Sequence, residues 1–326
     1  MANIIDVAKK AGVGIATVSR VVNNSGYVKK ETREKVESVI REIGFVSNEI
    51  ARSMALQKNN LVAFLLPNST HLFFGELIDA VEKELYRNGY MLMLCNSSEH
   101  IEKEITYIEM LKRSRVDALI LLTNNDIEPY LEKRFPIVSF DRRFEGVPFV
   151  ASDNYKGGVM AAQYLLKKGC RHFMFIGDDA QGEYSVFNSE VAKRRIGFIE
   201  ELKHHGIDNI INIEYPLGDY KSIPESVYQT VIDHPEVDGI FTIDDIIAAE
   251  VVRRMEKVGR NVPNDVKIIG FDGGRETSNL GKAITSISQS PERIAQALVE
   301  NVLLLINGEK GIDKIVPIEF IQGETA

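Results

Sequence analysis

With 326 residues the chain is too long for one average domain and ample for two or three. Hydrophobic residues make up 44% and charged residues 26%, which fits a globular protein with real cores and excludes a fibrous or disordered chain. Cys95 and Cys170 lie far apart without metal-ligand spacing, so a disulfide framework is excluded and both read as reduced, buried thiols. The start, MANIIDVAKKAGV, has no long apolar run, and no stretch approaches ~18 uninterrupted apolar residues, so the protein is expected to stay in the cytoplasm. The net charge of -8 hides an asymmetry. Residues 1–60 carry ten Lys/Arg against six Asp/Glu, net +4, whereas the other 266 residues carry 29 against 41, net -12. A basic module on an acidic body suggests that only the head approaches a polyanion.

Three short helices fit the head. Residues 5–11 follow Asn3 as N-cap, Gly12-Val13-Gly14 breaks the chain, and residues 15–22 form the second helix. In the third, from about Thr32 to Ile43, Val36, Val39, Ile40 and Ile43 build one apolar stripe. Helix, Gly-containing turn, helix and packing helix make the helix-turn-helix pattern.

From Leu61 the texture changes to apolar runs alternating with amphipathic segments. Strands are predicted at 61–67, 91–95, 117–123, 136–141, 149–153, 173–177, 239–243, 267–272 and 284–288. Helices are predicted at 75–88, 101–114, 155–168, 190–205, 246–259 and 291–307. Near-continuous apolar strands separated by helices imply parallel sheets covered on both faces. So many strands in ~265 residues fit two α/β lobes better than one wide sheet. Ligands in such lobes bind at the carboxyl ends of strands, in the crevice between them.

Several motifs in one order resemble the lac-repressor (LacI/GalR) family over essentially the whole length. The head IIDVAKKAGVGIATVSRVVN is close to the family's DVAxxAGVSxxTVSRVLN, and NEIARSM is similar to its PNxxARSL connector. The core adds ASDNYKGG, a KRRIGF that fits RxxGF, VPNDVKIIGFD and TSISQ. The resemblance implies a small all-α helix-turn-helix head (1–46), a hinge helix and linker (47–60), and an α/β ligand-binding core (61–326). That core has two parallel-sheet lobes like those of periplasmic sugar-binding proteins. Their expected bounds are about 61–159 with 290–318, and 160–289 with 319–326. Members governing sucrose or ribose utilisation look most similar.

The same resemblance implies a sequence-specific repressor that binds near-palindromic operator DNA as a homodimer and answers to a sugar or sugar phosphate. The second helix would lie in the major groove, with Ile15, Ala16 and Arg20 reading bases and Thr17, Ser19 and Asn23 contacting phosphates. Arg20 can pair bidentately with guanine, while Ile15 and Ala16 read only shape or a thymine methyl. Gly14 stands where the family usually has Ser. Residues 48–57 resemble the hinge helix, with Ala51 in its ARSM core and Met54 at the lever position, where an apolar wedge kinks the minor groove.

A sugar site needs flat apolar faces and charged groups that engage vicinal hydroxyls. The expected set is Phe73, Phe74, Asp141, Arg142, Arg194, Asp244, Asp272 and Gln289, at or near strand ends, with Tyr220 aligning with an aromatic that covers the ligand in relatives. Each has a plainer reading: Phe73 as core, Arg194 paired with Glu190, Arg142 solvated. An enzyme or sugar-carrier core fused to a DNA-binding head is the competing reading. Against the enzyme stand the lack of a Walker loop, of a strand-linked GxGxxG, of metal spacing among six histidines, and of any catalytic triad context. No cofactor or metal is called for, and without a heptad tail no tetramer is expected.

Overall fold

The computed structural model describes residues 2–45, 58–178, 189–215, 225–274 and 281–326. The expected hinge helix at 48–57, with Ala51 and Met54, lies outside the described residues, as does Tyr220. The chain divides into two compact units, Met1–Asn59 and Asn60–Ala326.

In the first unit, α1 (Ile4–Ala11) begins with a reciprocal cap. The Asn3 side chain accepts from the backbone N–H of Ile5 and Asp6, and Asp6 accepts from that of Asn3. Gly12, at φ 62°, closes the helix in the left-handed conformation, and three residues later α2 (Ile15–Val22) starts. α3 (Lys30–Ile43) lays Val36 and Val39 onto Val7, Ala8, Ala11, Val18 and Val21. The buried side chains are Val and Ala alone, with Ile4, Ile40, Ile43 and Phe45 half-buried at the margin, so this small unit gains little from burial.

The second unit holds two six-stranded sheets. The first has the order β11-β5-β4-β3-β1-β2, all parallel, built from β1 (Leu61–Leu66), β2 (Met91–Asn96), β3 (Ala118–Leu121), β4 (Ile137–Phe140), β5 (Phe149–Ser152) and β11 (Lys314–Val316). Alternate residues feed opposite faces. Val62, Phe64 and Leu66 pack with α4 (Leu72–Arg87) and α10 (Pro291–Ile306), whereas Ala63 and Leu65 pack with Ile108 and Leu111 of α5 (Ile101–Lys112). Because both faces are covered, the strand reads as one apolar run.

The second sheet runs β12-β10-β9-β8-β6-β7, from β6 (Phe173–Asp178), β7 (Ile210–Tyr215), β8 (Gly239–Thr242), β9 (Lys267–Asp272), β10 (Thr285–Ser288) and β12 (Glu319–Ile321). Only β12 is antiparallel to its neighbour. Its helices are α6 (Asn154–Lys167), α7 (Lys193–His204), α8 (Glu225–Asp233) and α9 (Asp245–Lys257). The chain crosses between lobes at about 153, 290 and 317. The lobe boundary expected at 159/160 falls inside α6, whose Ala161, Ala162 and Leu165 belong to the second core, so the crossing precedes that helix.

α6 and α7 meet backbone to backbone. A Cβ at Gly158 would stand 2.0 Å from the Arg194 carbonyl oxygen, and one at Gly197 would stand 2.1 Å from that of Tyr155. This contact brings the first turns of both helices together, setting Asn154 beside Arg194. Both cysteines are free and buried, and burial pushes each thiol up to about 11, leaving them inert.

Candidate functional site

On α2, Val18 and Val21 are buried while Ile15, Ala16, Arg20 and Asn23 are exposed and Thr17 and Ser19 half-buried. The expected contact residues thus lie away from the core face. Ile15 is 49% exposed, an apolar side chain that the fold itself does not use. Asn23 donates to the Ser19 hydroxyl at 3.2 Å. The Arg20 side chain rests beside Gly26, at φ 74°.

In the core unit, strand ends from both lobes line a common cleft. Pro67, Leu122 and Asp141 follow β1, β3 and β4; Ile243 and Asp244 follow β8; Asp272 ends β9, and Gln289 follows β10. His71, Phe73 and Phe74 come from the entry to α4, and Ser189, Val191 and Arg194 from the approach to α7. Arg194, 4% exposed, donates Nε to Asn154 Oδ1 at 2.7 Å and Nη1 to the Ile243 carbonyl at 2.6 Å. It lies 3.6 Å from Asp272 Oδ1, with its guanidinium 3.5 Å from the Phe271 ring centre. Gln289 donates to Asp272 Oδ1 at 2.7 Å and accepts from the Ser152 hydroxyl at 2.5 Å, tying two lobe crossings to the site. Asp141 and Asp272 adopt φ 55° and 101°, backbone strain held by these surroundings. Behind Asp272, the buried Asp245 carboxylate accepts from the N–H of Gly273 at 2.8 Å and Gly274 at 3.2 Å, which fixes the turn that aims Asp272.

Two family models match this chain. Residues 59–324 match "periplasmic binding proteins and sugar binding domain of LacI family", and residues 3–48 match "bacterial regulatory proteins, lacI family". The chain belongs to the LacI family. Its relatives include the sucrose operon repressor of Streptococcus mutans, 34% identical over 100% of this chain and 99% of that one. The ribose operon repressor of Halalkalibacterium halodurans is 35% identical over 89% of this chain and 86% of its own. Among solved structures, a periplasmic binding protein/LacI regulator from Alkaliphilus metalliredigens in complex with D-xylulofuranose superposes with a TM-score of 0.72 at 30% identity, covering 82% of this chain and 99% of that one.

Within this LacI-family cleft the structure brings together Phe73, Phe74, Asp141, Arg194, Asp244, Asp272 and Gln289. Phe73 is 2% exposed and packs with Phe140 in the core while also lining the cleft, whereas Phe74 lies against His71 with ring centres 4.7 Å apart. Arg142 does not line the cleft. Its Nη1 donates to the carbonyls of Thr123 at 3.2 Å and Asn125 at 2.5 Å, and its guanidinium sits 4.6 Å from the Phe144 ring centre. The chain leaves the extended conformation at Asp141, φ 55°, and from there the Arg142 side chain turns to these carbonyls instead of the cleft. Glu190 pairs with Arg143 at 2.5 Å and Lys193 at 2.7 Å, and Arg194 is engaged with Asp272 instead. Sequence reasoning missed His71, Asn124 and Asn154. His71 shares the strand-end position that singled out Phe73 and Phe74, and Asn154 lies inside the ASDNYKGG motif.

Burial raises Asp141 to about 7, with Arg194 and Asn154 opposing. Burial likewise raises Asp272 to about 6, against Arg194 and His71. For His71, burial opposes protonation, but the Asp244 carboxylate 3.9 Å away and the charge of Asp272 outweigh it and raise its pKa above 6.5. All three groups act in one direction. Between the ordinary carboxylate range and about 7 the folded state holds protons that the unfolded chain has released, so stability falls as pH rises. Protonated His71 is stabilising below its ordinary pKa, and that contribution is lost as pH passes its raised value. The ligand-free protein is expected to lose about 2–3 kcal/mol between pH 5.5 and 8, or roughly 5–10 °C of melting temperature. Thermal melts across that interval check it; a midpoint that rises with pH contradicts the assignment.

Proposed function

We propose that this LacI-family chain is a cytoplasmic repressor of a sugar-utilisation operon, acting by binding and not by turnover. Two copies of α2, from a homodimer, enter successive major grooves of a near-palindromic operator. The observation that carries the reading is the cleft itself. Carboxylates, a guanidinium, an imidazole and two amides stand around apolar walls from Pro67, Phe73, Phe74, Leu122, Val191 and Ile243, a pattern suited to a sugar's hydroxyl rim and C–H faces. Sugar in the cleft alters lobe closure and thereby the affinity for operator, a coupling of typically ~1–3 kcal/mol that is reciprocal.

Operator binding measured by fluorescence anisotropy, on DNA from the promoter of the chain's own gene, tests this with and without a sugar panel. Arg20→Ala is expected to abolish specific binding, because the homodimer loses two bidentate base contacts of about 1–3 kcal/mol each. Asp272→Ala is expected to keep operator binding and lose the response to sugar. No sequence preference in the intact protein, with or without sugar, would sink the proposal.

A further inference from the structure

The repressor reading above leaves the chemical form of the effector open, and the charge arrangement of the cleft bears on it. We propose that the site takes an unphosphorylated, donor-rich sugar and rejects the phosphate ester of the same sugar.

Three carboxylates, Asp141, Asp244 and Asp272, line the cleft, and each is at most 7% exposed. Against them, among the described residues, stand one guanidinium and one imidazole, Arg194 and His71. Arg194 is already committed. Its Nε serves Asn154, its Nη1 serves the Ile243 carbonyl and faces Asp272, and one face of the planar guanidinium lies on the Phe271 ring. His71 faces Asp244. Two further buried carboxylates stand close behind: Glu190, balanced by Arg143 and Lys193, and Asp245, held by backbone N–H groups. Among the described residues the cleft therefore presents acceptor oxygens in excess, and at Asp141 and Asp272 it holds strained backbone to do so. Hydroxyl groups donate to such oxygens without adding charge. A phosphate ester brings close to two negative charges at neutral pH. It would sit beside carboxylates that burial already disfavours as anions, with Arg194 and His71 the only cationic side chains lining the cleft among the described residues.

Isothermal titration calorimetry on the full chain at pH 7.5 tests this. The probes are ribose, fructose and sucrose, each with its monophosphate ester, and inorganic phosphate. At least one free sugar is expected to bind, with its ester ~100-fold weaker or more, and inorganic phosphate is expected to give no heat. An ester that binds as tightly as its parent sugar overturns this proposal while leaving the sugar-responsive reading intact. Absence of binding by every sugar and ester overturns both. Asp141→Asn, which removes one charge and keeps the shape, is expected to narrow the sugar-to-ester ratio by about 10-fold. An unchanged ratio overturns the charge account, whatever the variant's affinity for the sugar itself.

Discussion

Arg194→Met is expected to lower the melting temperature of the protein at pH 8 by roughly 6–15 °C and to abolish the response to sugar, with operator binding retained by the folded fraction. Methionine keeps an apolar stem against Phe271 but removes the only guanidinium lining the cleft among the described residues. Deleting one partner of a buried ionic cluster costs about 3–5 kcal/mol, because the remaining charges stay behind in a poor solvent. Here those charges are Asp272 and Asp141, both lowered by Arg194 in the native fold. They retain an escape, since each can take up a proton. The loss should therefore shrink at pH 5.5, and melts of wild type and variant at both pH values measure the difference. An equal loss at the two pH values would show that Arg194 acts by packing and not by charge.

Gly158→Ala is the second large effect. On helix propensity alone, alanine in the middle of α6 gains about 1 kcal/mol. The crossing with α7 decides otherwise, because the added methyl would meet the Arg194 carbonyl oxygen at 2.0 Å and the Phe198 amide nitrogen at 2.6 Å. Both atoms are backbone inside a helix and cannot swing aside, so the helices must separate, at a cost of about 3 kcal/mol or more. Separation also draws Arg194 away from Asn154, so sugar affinity falls with stability. Gly197→Ala strikes the same crossing from the other side. Once either change has opened the gap, the other costs less, and the double variant is expected to lose clearly less than the sum of the two. Chemical denaturation of the three variants checks this; additive losses would mean the crossing does not relax as a unit.

Much of this architecture was readable before any coordinates, for a physical reason. Strands buried on both faces, such as β1 and β9, must be apolar throughout, so LVAFLL and KIIGFD announce themselves. Edge elements carry less signal. β7 alternates polar and apolar residues, while β11 and β12 are three residues each, and all three escaped the sequence reading. The site divides the same way. Asp272 was conspicuous because a carboxylate closing an apolar strand requires a polar outlet. His71 and Asn154 act through partners contributed by distant segments, Asp244 and Arg194, and no local pattern reports such pairings. Arg142 shows the converse failure. Adjacency to Asp141 brought it into the expected set, but the left-handed turn at Asp141 sends its side chain to the Thr123 and Asn125 carbonyls, and no local pattern announces that turn.

The triple exchange of chain between the lobes has a consequence for how this module can be divided. A cut near residue 153 would strip the first sheet of α10 and β11, laying bare Val62, Phe64 and Ile120, which are at most 1% exposed in the intact unit. Neither half is a free-standing piece, so the pair should unfold as one cooperative block and be inherited or shuffled only whole.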